Sequence, residues 1–264
     1  MRKKALGLDL PSEEARIVKF LKERLKTSGA KGIVIGISGG IDSAVTCVLA
    51  IRALGFKKVT GLLMFEDGFE NSADYMDARE LTLKFGLKTI EIGITPIIKA
   101  FSQGLGLTGL KISKIGLANI KARIRMTLLY AVANQRRLIV AGTGDRSEEL
   151  VGYFTKYGDG GVDIMPIAHL YKTEIRQLAK GLDIPSRIIE KPSTPNLWEN
   201  HKASDELPAD YPILDNILKL LFDQQRVEAE ITRVTGISPS TVRKVLNLHN
   251  RSKHKREYPP MIDR

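Results

Sequence analysis

The sequence predicts an α/β fold, formed by a single domain with one parallel sheet, helices on both of its faces and further helices at the C-terminus. Two observations lead to this prediction. Apolar runs of strand length alternate with helical patterns through the first half of the chain, and the pattern from residue 213 to residue 250 is helical. Because alternating strands and helices are joined by right-handed crossovers, the strands are expected to be parallel.

The elements of the first half follow one another in a regular order. Continuous apolar runs predict four strands, at residues 32–37, 58–65, 87–94 and 136–145. Apolar residues at helical spacing predict four helices, at residues 11–28, 42–54, 71–85 and 114–134. The fourth helix is expected to bury one face, made by Leu117, Ile120, Ile124, Leu128 and Ala131.

The second half contains two long loops before the terminal helices. Residues 153–161 are rich in glycine and aromatic residues, and residues 190–212 hold four prolines and the single tryptophan. Loops of this length in a compact domain are often functional. We expect one domain over residues 1–264, with a C-terminal helical part at about 205–250 and a basic tail at 251–264.

Composition limits the class of protein. The chain has 264 residues, 43% of them hydrophobic and 27% charged, which is typical of a globular domain. Its net charge of +11 favours anionic partners, such as a nucleotide, a nucleic acid or a phosphorylated metabolite. The single cysteine, Cys47, excludes a disulfide framework and is typical of the cytoplasm, where we expect the protein. No apolar run reaches the ~20 residues of a membrane span, so no membrane association is expected.

The segment from Ser38 to Ser43, Ser-Gly-Gly-Ile-Asp-Ser, lies between the first predicted strand and the next helix. Two glycines allow the backbone to approach a ligand, and the N–H groups at a helix N-terminus favour an anion. No lysine follows, so the segment is not a Walker A loop. Asp42 would repel a phosphate unless a cation such as Mg²⁺ lies between them. The alternative is that Asp42 and Ser43 only cap the helix.

This segment matches S-G-G-x-D-S and resembles the pyrophosphate loop of the ATP pyrophosphatase superfamily, which implies a Rossmann-like fold of the adenine nucleotide alpha-hydrolase type. Further segments resemble the ammonia-dependent NAD synthetases: NIKARIRM from Asn119, residues 142–179, KPSTPNLW from Lys191, and HKRE from His254. The resemblance implies a ligase that forms a carbon–nitrogen bond. Its substrates would be ATP, deamido-NAD and ammonia, and its cofactor would be Mg²⁺.

The resemblance also implies an ATP site. The expected ATP contacts are Gly36, Ile37, Ser38, Gly39, Gly40, Ile41, Asp42, Ser43, Thr143, Lys172 and Thr194. Asp42 and Glu148 are expected to bind the metal, and Asp42 and Lys172 to be catalytic, because a lysine can neutralise charge that develops on phosphates. Taken alone, Glu148 is equally typical of a helix N-terminus and Lys172 of a solvated helix surface.

A second set of residues matches the deamido-NAD contacts of the family. These residues are Arg123, Lys156, Asp163, His254 and Lys255. Arg123 is expected to flank the apolar face of its helix, and Asp163 is a candidate base for ammonium. Candidates for stacking on the nicotinate ring are Tyr153, Phe154 and Tyr157.

The resemblance further implies a homodimer whose sites take Asp42 and Lys156 from opposite subunits. The synthetase pattern begins near Gly32, so an amidase domain is not expected and ammonia is the expected nitrogen source. Two alternatives remain at this point. One is a tRNA-modifying enzyme with the same loop, although such an enzyme would need a reactive cysteine pair and this chain has a single cysteine. The other is a nucleic-acid-binding helix-turn-helix at residues 227–256, a segment with a Thr-Gly turn and a basic end.

Overall fold

The computed structural model describes residues 9–70, 72–194 and 206–262. Four strands form one parallel sheet in the order β3-β2-β1-β4. The strands are β1 (Gly32–Gly36), β2 (Val59–Phe65), β3 (Lys88–Gly93) and β4 (Leu138–Val140). An isolated parallel bridge joins Ala141 to Ile164 just beyond β4. The predicted α/β class and the four predicted strands are therefore confirmed.

Helices surround the sheet and continue after it. They are α1 (Leu10–Ser28), α2 (Ile41–Leu54), α3 (Ala73–Lys84), α4 (Thr95–Gly106), α5 (Lys114–Arg136), α6 (Arg146–Val151), α7 (Lys172–Lys180), α8 (Ser186–Glu190), α9 (Tyr211–Leu218), α10 (Glu228–Thr235), α11 (Pro239–Arg251) and α12 (Lys253–Arg256). The first three and α5 match the predicted helices, although Asn71, the predicted start of α3, lies outside the described residues. Helix α4 and the short helices α6 to α8 were not predicted.

The two faces of the sheet bury alternate residues of β1, as a strand covered on both sides requires. Ile33 and Ile35 lie in the core formed with α1, α2 and α7, whereas Val34 lies in the core formed with α5. The predicted face of α5 is right for its first four residues and wrong for the last one. Ala131 is exposed and Ala133 is buried, because the last turns of α5 pack against β1 and β4, whereas its earlier turns pack against α4.

The C-terminal helices form a second core against the edge of the sheet domain. Ile231 of α10 and Val242 of α11 are fully buried and pack with Leu214 of α9, Val151 of α6 and Tyr171. The turn between α10 and α11 contains Gly236, as the helix-turn-helix interpretation expected. The apolar sides of this helix pair, however, pack against α6 and against Tyr171, the residue before α7. Among the described helices, none is long and apolar enough to cross a membrane.

Candidate active site

The phosphate loop, defined here as residues 37–40, connects β1 to α2 and passes very close to α3. Gly39 has φ = 79°, and a Cβ atom at this position would lie 2.1 Å from the carbonyl oxygen of Asp74. Both the backbone conformation and the contact require glycine. The side chain of Ser43 closes the loop, because its hydroxyl accepts from Ser38 N at 3.2 Å and donates to the Gly40 carbonyl at 2.9 Å.

We expect Gly39→Ala to disrupt this loop. The left-handed backbone conformation alone costs an alanine about 1–2 kcal/mol, and the contact with Asp74 forces the loop to move. ATP affinity should therefore fall at least about tenfold, and calorimetric titration measures it. The matched control is Gly104→Ala in α4, where an added Cβ meets no atom within 4 Å and should stabilise the helix by about 1 kcal/mol. Equal ATP affinity of the two variants would contradict the loop's role.

Asp42 does not cap α2. Gly40 occupies the N-cap position, and no side chain makes a capping hydrogen bond there. The carboxylate of Asp42 instead points toward Lys172, whose Nζ donates to Asp42 Oδ2 at 2.6 Å. The other oxygen, Asp42 Oδ1, is buried and has no hydrogen-bond partner in the described part of the chain. The interpretation of Asp42 as a simple helix cap is therefore wrong.

Lys172 is buried at the centre of a cluster of three carboxylates, of which Asp145 is buried and Asp42 and Glu148 are half-buried. Its Nζ lies 2.6 Å from Asp42 Oδ2, 2.7 Å from Asp145 Oδ2 and 3.0 Å from Glu148 Oε1. The Lys172 side chain is 1% exposed, so the alternative of a solvated helix lysine is wrong. One ammonium group faces three carboxylates at this site, and the cluster therefore attracts additional positive charge.

The pKa values in the cluster follow from burial and from charge. Burial raises the pKa of Asp145 to about 6 in spite of the neighbouring Lys172. Burial and the charge of Asp145 raise the pKa of Glu148 well above its usual range. Burial alone would lower the pKa of Lys172, but Asp145, Asp42 and Glu148 raise it well above its usual range. The lysine is therefore held in its charged form.

The donor set fits a divalent cation. Carboxylate oxygens of Asp42, Asp145 and Glu148 all lie within 4.8 Å of one another, and oxygen ligands are those that Mg²⁺ prefers. Asp42 Oδ1 is buried and, within the described residues, has no hydrogen-bond partner, so it offers an acceptor at the same place. The sequence interpretation included Asp42 and Glu148 but missed Asp145.

Asp145 and Asp215 fix the helices that carry this cluster. Asp145 caps α6, because its Oδ1 accepts from Glu148 N at 2.8 Å. Asp215 of α9 accepts from the Ser147 hydroxyl at 2.6 Å and from Thr173 N at 2.8 Å. The Ser147 hydroxyl in turn accepts from Lys172 N at 3.0 Å. The start of α7, and with it Lys172, is thus held by α6 and by a C-terminal helix.

A cavity of about 570 Å³ opens above the cluster. Most of the predicted ATP contacts line it; they are Gly36, Ile37, Ser38, Gly40, Ile41, Asp42, Ser43, Thr143, Lys172 and Thr194. Gly39, the remaining residue of the loop, is buried and is not among the described residues that line the cavity. The C-terminal end of β2, α3, the inner side of α5, the loop after α6 and residues 191–194 form further parts of the walls. The phosphate loop, the acidic cluster and the large cavity therefore all lie at the C-terminal ends of the parallel strands.

A family model described as NAD synthase matches residues 13–259 of the chain. The chain belongs to the NAD synthase family. It is 42% identical over 260 residues to the NH3-dependent NAD⁺ synthetase of Staphylothermus marinus, and the match covers 98% of this chain and 94% of that relative. A tRNA-modifying enzyme with a similar loop is therefore no longer an alternative.

Solved structures of the family have the same fold. An NMN synthetase from Francisella tularensis superposes with a TM-score of 0.84 at 33% identity, covering 97% of this chain and 99% of that one. The NH3-dependent NAD synthetase from Campylobacter jejuni, in complex with the nitrate ion, superposes with a TM-score of 0.82 at 31% identity. The match covers 97% of this chain and 100% of that one.

The second set of predicted NAD synthetase contacts lies mainly outside this cavity. Lys156 Nζ donates to the His254 carbonyl, and the Arg123 guanidinium donates to the Lys156 carbonyl at 3.3 Å, so these three residues are neighbours. Arg123 itself is exposed, more so than expected for a residue flanking the apolar face. Lys255 does line the cavity, and its Nζ donates to the carbonyls of Gly152 and Phe154 at 2.7 and 2.6 Å.

Asp163 lies apart from the phosphate loop cavity. Its Oδ1 accepts from the Tyr130 hydroxyl at 2.9 Å, and its Oδ2 accepts from Val140 N at 2.7 Å. Both oxygens thus hold the segment beyond β4, and the role of Asp163 as a base for ammonium stays a prediction. Of the predicted stacking residues, Tyr153 and Phe154 line the cavity, whereas Tyr157 is exposed.

Proposed function

We propose that this NAD synthase family member amidates deamido-NAD with ammonia at the expense of ATP, giving NAD, AMP and pyrophosphate. The observation that carries the proposal is the buried Lys172, held by Asp42, Asp145 and Glu148 next to a glycine-rich phosphate loop. These groups combine the anion-binding backbone, the cation and the acidic cluster that a reaction releasing pyrophosphate needs.

Two steps account for the products. A nicotinate carboxylate oxygen attacks the α phosphate of ATP, the bond to the β phosphate breaks, and pyrophosphate leaves. Ammonia then attacks the carbonyl carbon of the adenylate, AMP leaves with the bridging oxygen, and one proton is lost from nitrogen. The phosphate loop orients the β and γ phosphates, and Lys172 balances the negative charge that develops on the departing pyrophosphate.

Asp42 and Glu148 are the proposed ligands of Mg²⁺, with Asp145 beside them. When bound, the ion supplies positive charge to the phosphate oxygens. Lys172 contacts the same three carboxylates, so Asp42 and Glu148 would hold the ion beside its ammonium group.

Neighbouring basic residues extend the proposed substrate site beyond the cavity. Arg123, Lys156 and His254 lie together outside it, and Lys255 connects them to it through its contacts with the loop after α6. A dinucleotide carries its own pyrophosphate, which the guanidinium of Arg123 and the ammonium of Lys156 bind well. Amidation of the smaller nicotinate mononucleotide is a second candidate, since the chain is similar to an NMN synthetase.

The assay separates these substrates and the nitrogen source. Enzyme, ATP and Mg²⁺ are incubated with deamido-NAD or with nicotinate mononucleotide, and with ammonium or ammonia-free glutamine. Mass spectrometry should detect NAD, AMP and pyrophosphate from deamido-NAD and ammonium, with little product from glutamine. A faster reaction of the mononucleotide would favour the second candidate. Robust turnover with glutamine would contradict the use of ammonia.

We also propose that one domain over residues 1–264 acts as a homodimer in the cytoplasm. Large apolar side chains are exposed on α4, on the connection that follows it and at the start of α5, and they support such an interface; they are Phe101, Leu107, Leu110 and Ile115. Cys47 is buried, and burial raises its thiol pKa to about 12, so the cysteine is unreactive and suits a reducing compartment.

Shared sites make a specific prediction. If Asp42 and Lys156 serve one site from opposite subunits, inactive Asp42→Asn and inactive Lys156→Ala chains should complement each other after unfolding and refolding together. Random pairing makes about half of the dimers mixed, and about a quarter of all sites would then be intact. No recovery of activity, with mixed dimers confirmed by native mass spectrometry, would place both residues in one chain's site.

A further inference from the structure

The short segment of residues 191–194 forms one wall of the cavity. It follows α8 directly and has no regular secondary structure. Lys191, Pro192, Ser193 and Thr194 all line the cavity, on the side that faces the phosphate loop. An irregular segment has no ladder of backbone hydrogen bonds, so other groups must fix its position.

Arg176 supplies the first of these groups. It lies on α7, one turn after Lys172, and its guanidinium reaches three acceptors around the end of α8. It donates to the Ile189 carbonyl, to the Lys191 carbonyl at 2.9 Å and to the Ser193 hydroxyl at 3.2 Å. The last carbonyls of a helix lack partners within the helix, and the planar guanidinium satisfies them in one fixed geometry.

Lys191 ties the same segment to the phosphate loop from the other side. Its Nζ donates to Asp74 Oδ1 at 2.6 Å and to Asp77 Oδ2, and it lies 3.4 Å from the Gly39 carbonyl. Asp77 is 4% exposed, so its ion pair with Lys191 is largely removed from water. The start of α3, the phosphate loop and the segment are therefore joined by one ammonium group.

We propose that Arg176 is a positioning residue that sets the place of Thr194 relative to the phosphate loop. Arg176 is not among the described residues that line the cavity; it acts by holding the Lys191 carbonyl and the Ser193 hydroxyl, which fixes the position of the backbone that carries Thr194. Lys172 and Arg176 share helix α7, so the same helix places the ammonium group and the hydroxyl that face ATP. This inference rests on the proposed role of Thr194 as an ATP contact.

A double-mutant cycle tests the inference through ATP binding at equilibrium, measured by calorimetry, and through the KM for ATP. The variants are Arg176→Gln, Thr194→Ala and the two combined. Each single change should weaken ATP binding about tenfold, while the KM for deamido-NAD stays within about twofold. The combined variant should bind ATP no more weakly than the weaker single variant, because both changes remove one interaction. The matched control, Lys180→Gln, removes an exposed charge from the same helix and should leave ATP binding unchanged.

Three results would overturn the inference: multiplied effects in the combined variant, unchanged ATP affinity in Arg176→Gln, or unchanged ATP affinity in Thr194→Ala. If Arg176→Gln does not fold, Arg176→Lys is used in the same cycle. It keeps the charge but cannot reach three acceptors at once, so it should also lose about tenfold in ATP affinity. ATP binding does not depend on amidation. A wild-type protein that binds ATP but makes no NAD would therefore contradict the proposed function. The double-mutant cycle on ATP binding would still test the role of Arg176.

Discussion

Replacing Lys172 with methionine is expected to reduce the rate of NAD formation about 100- to 1000-fold, because the transition state loses a preorganised positive charge. The same change leaves Asp42, Asp145 and Glu148 within 4.8 Å of one another without their common cation. Breaking a buried ion pair on one side costs about 3 kcal/mol or more of stability. Steady-state kinetics and denaturant unfolding measure the two effects.

The structural and catalytic effects of this change can be separated. In the combined variant Lys172→Met/Asp145→Asn, one negative charge is removed with the positive one, and asparagine still caps α6 well. We expect stability to recover by about half or more, while the rate stays low. Recovery of both stability and rate would contradict a direct role of Lys172 in catalysis, as would a wild-type rate in Lys172→Met alone.

The stability loss in Lys172→Met should also depend on pH. Without the lysine, the pKa of Asp145, already about 6 in the folded protein, rises further above its value in the unfolded chain. A group whose pKa is raised by folding stabilises the folded state as pH falls through that pKa. The stability difference from wild type should therefore be largest above about pH 7 and shrink on acidification. Unfolding curves at pH 8 and pH 5.5 measure it, and a constant difference would contradict the charge argument.

Replacing Asp42 with asparagine is expected to give a folded protein with about 100-fold or greater loss of adenylation, equivalent to about 3 kcal/mol of transition-state stabilisation. Asp42 Oδ1 is buried without a hydrogen-bond partner in the described residues, and Oδ2 contacts Lys172. Release of pyrophosphate, followed across a range of Mg²⁺ concentrations, is the measurement.

The control is Asp67→Asn, an exposed acid beyond the end of β2, which should keep the wild-type rate. An Asp42→Asn enzyme with unchanged turnover at limiting Mg²⁺ would mean that Asp42 takes no part in the metal site. Weaker Mn²⁺ binding by Asp42→Asn, observed by electron paramagnetic resonance without ATP, is expected on the same grounds and does not depend on activity.

Local sequence patterns were sufficient to predict the strands and helices whose ends are clearly marked in the sequence. The buried run of β1 and the glycines after it predicted the strand, the phosphate loop and the start of α2. Helix α4 was missed because Pro96, Gly104 and Gly106 make its sequence look like a loop, although proline is tolerated in the first turn of a helix. Short helices such as α6 carry too few residues to show a period.

The active-site cluster could be predicted only in part, because its members meet through tertiary structure. Lys172 contacts Asp42 across 130 positions of sequence, and no local pattern indicates that a lysine at the start of a helix is fully buried. Asp145 was missed because it follows Gly144 in an apparent turn, where an aspartate is typical of a helix cap. It does cap α6, but its second contact, with Lys172, follows only from the tertiary structure. Arg176 lies within the matching segment 142–179, but no local pattern indicated its role, since each of its acceptors lies after α7 in the chain.

The path of one oxygen atom tests the adenylate mechanism most directly. Deamido-NAD with ¹⁸O at both oxygens of its nicotinate carboxylate is incubated with ATP, Mg²⁺ and ammonium, and the products are analysed by mass spectrometry. Attack of that carboxylate on the α phosphate predicts that each AMP molecule carries one labelled oxygen and that pyrophosphate carries none. Unlabelled AMP, or ADP and orthophosphate in place of AMP and pyrophosphate, would contradict the account.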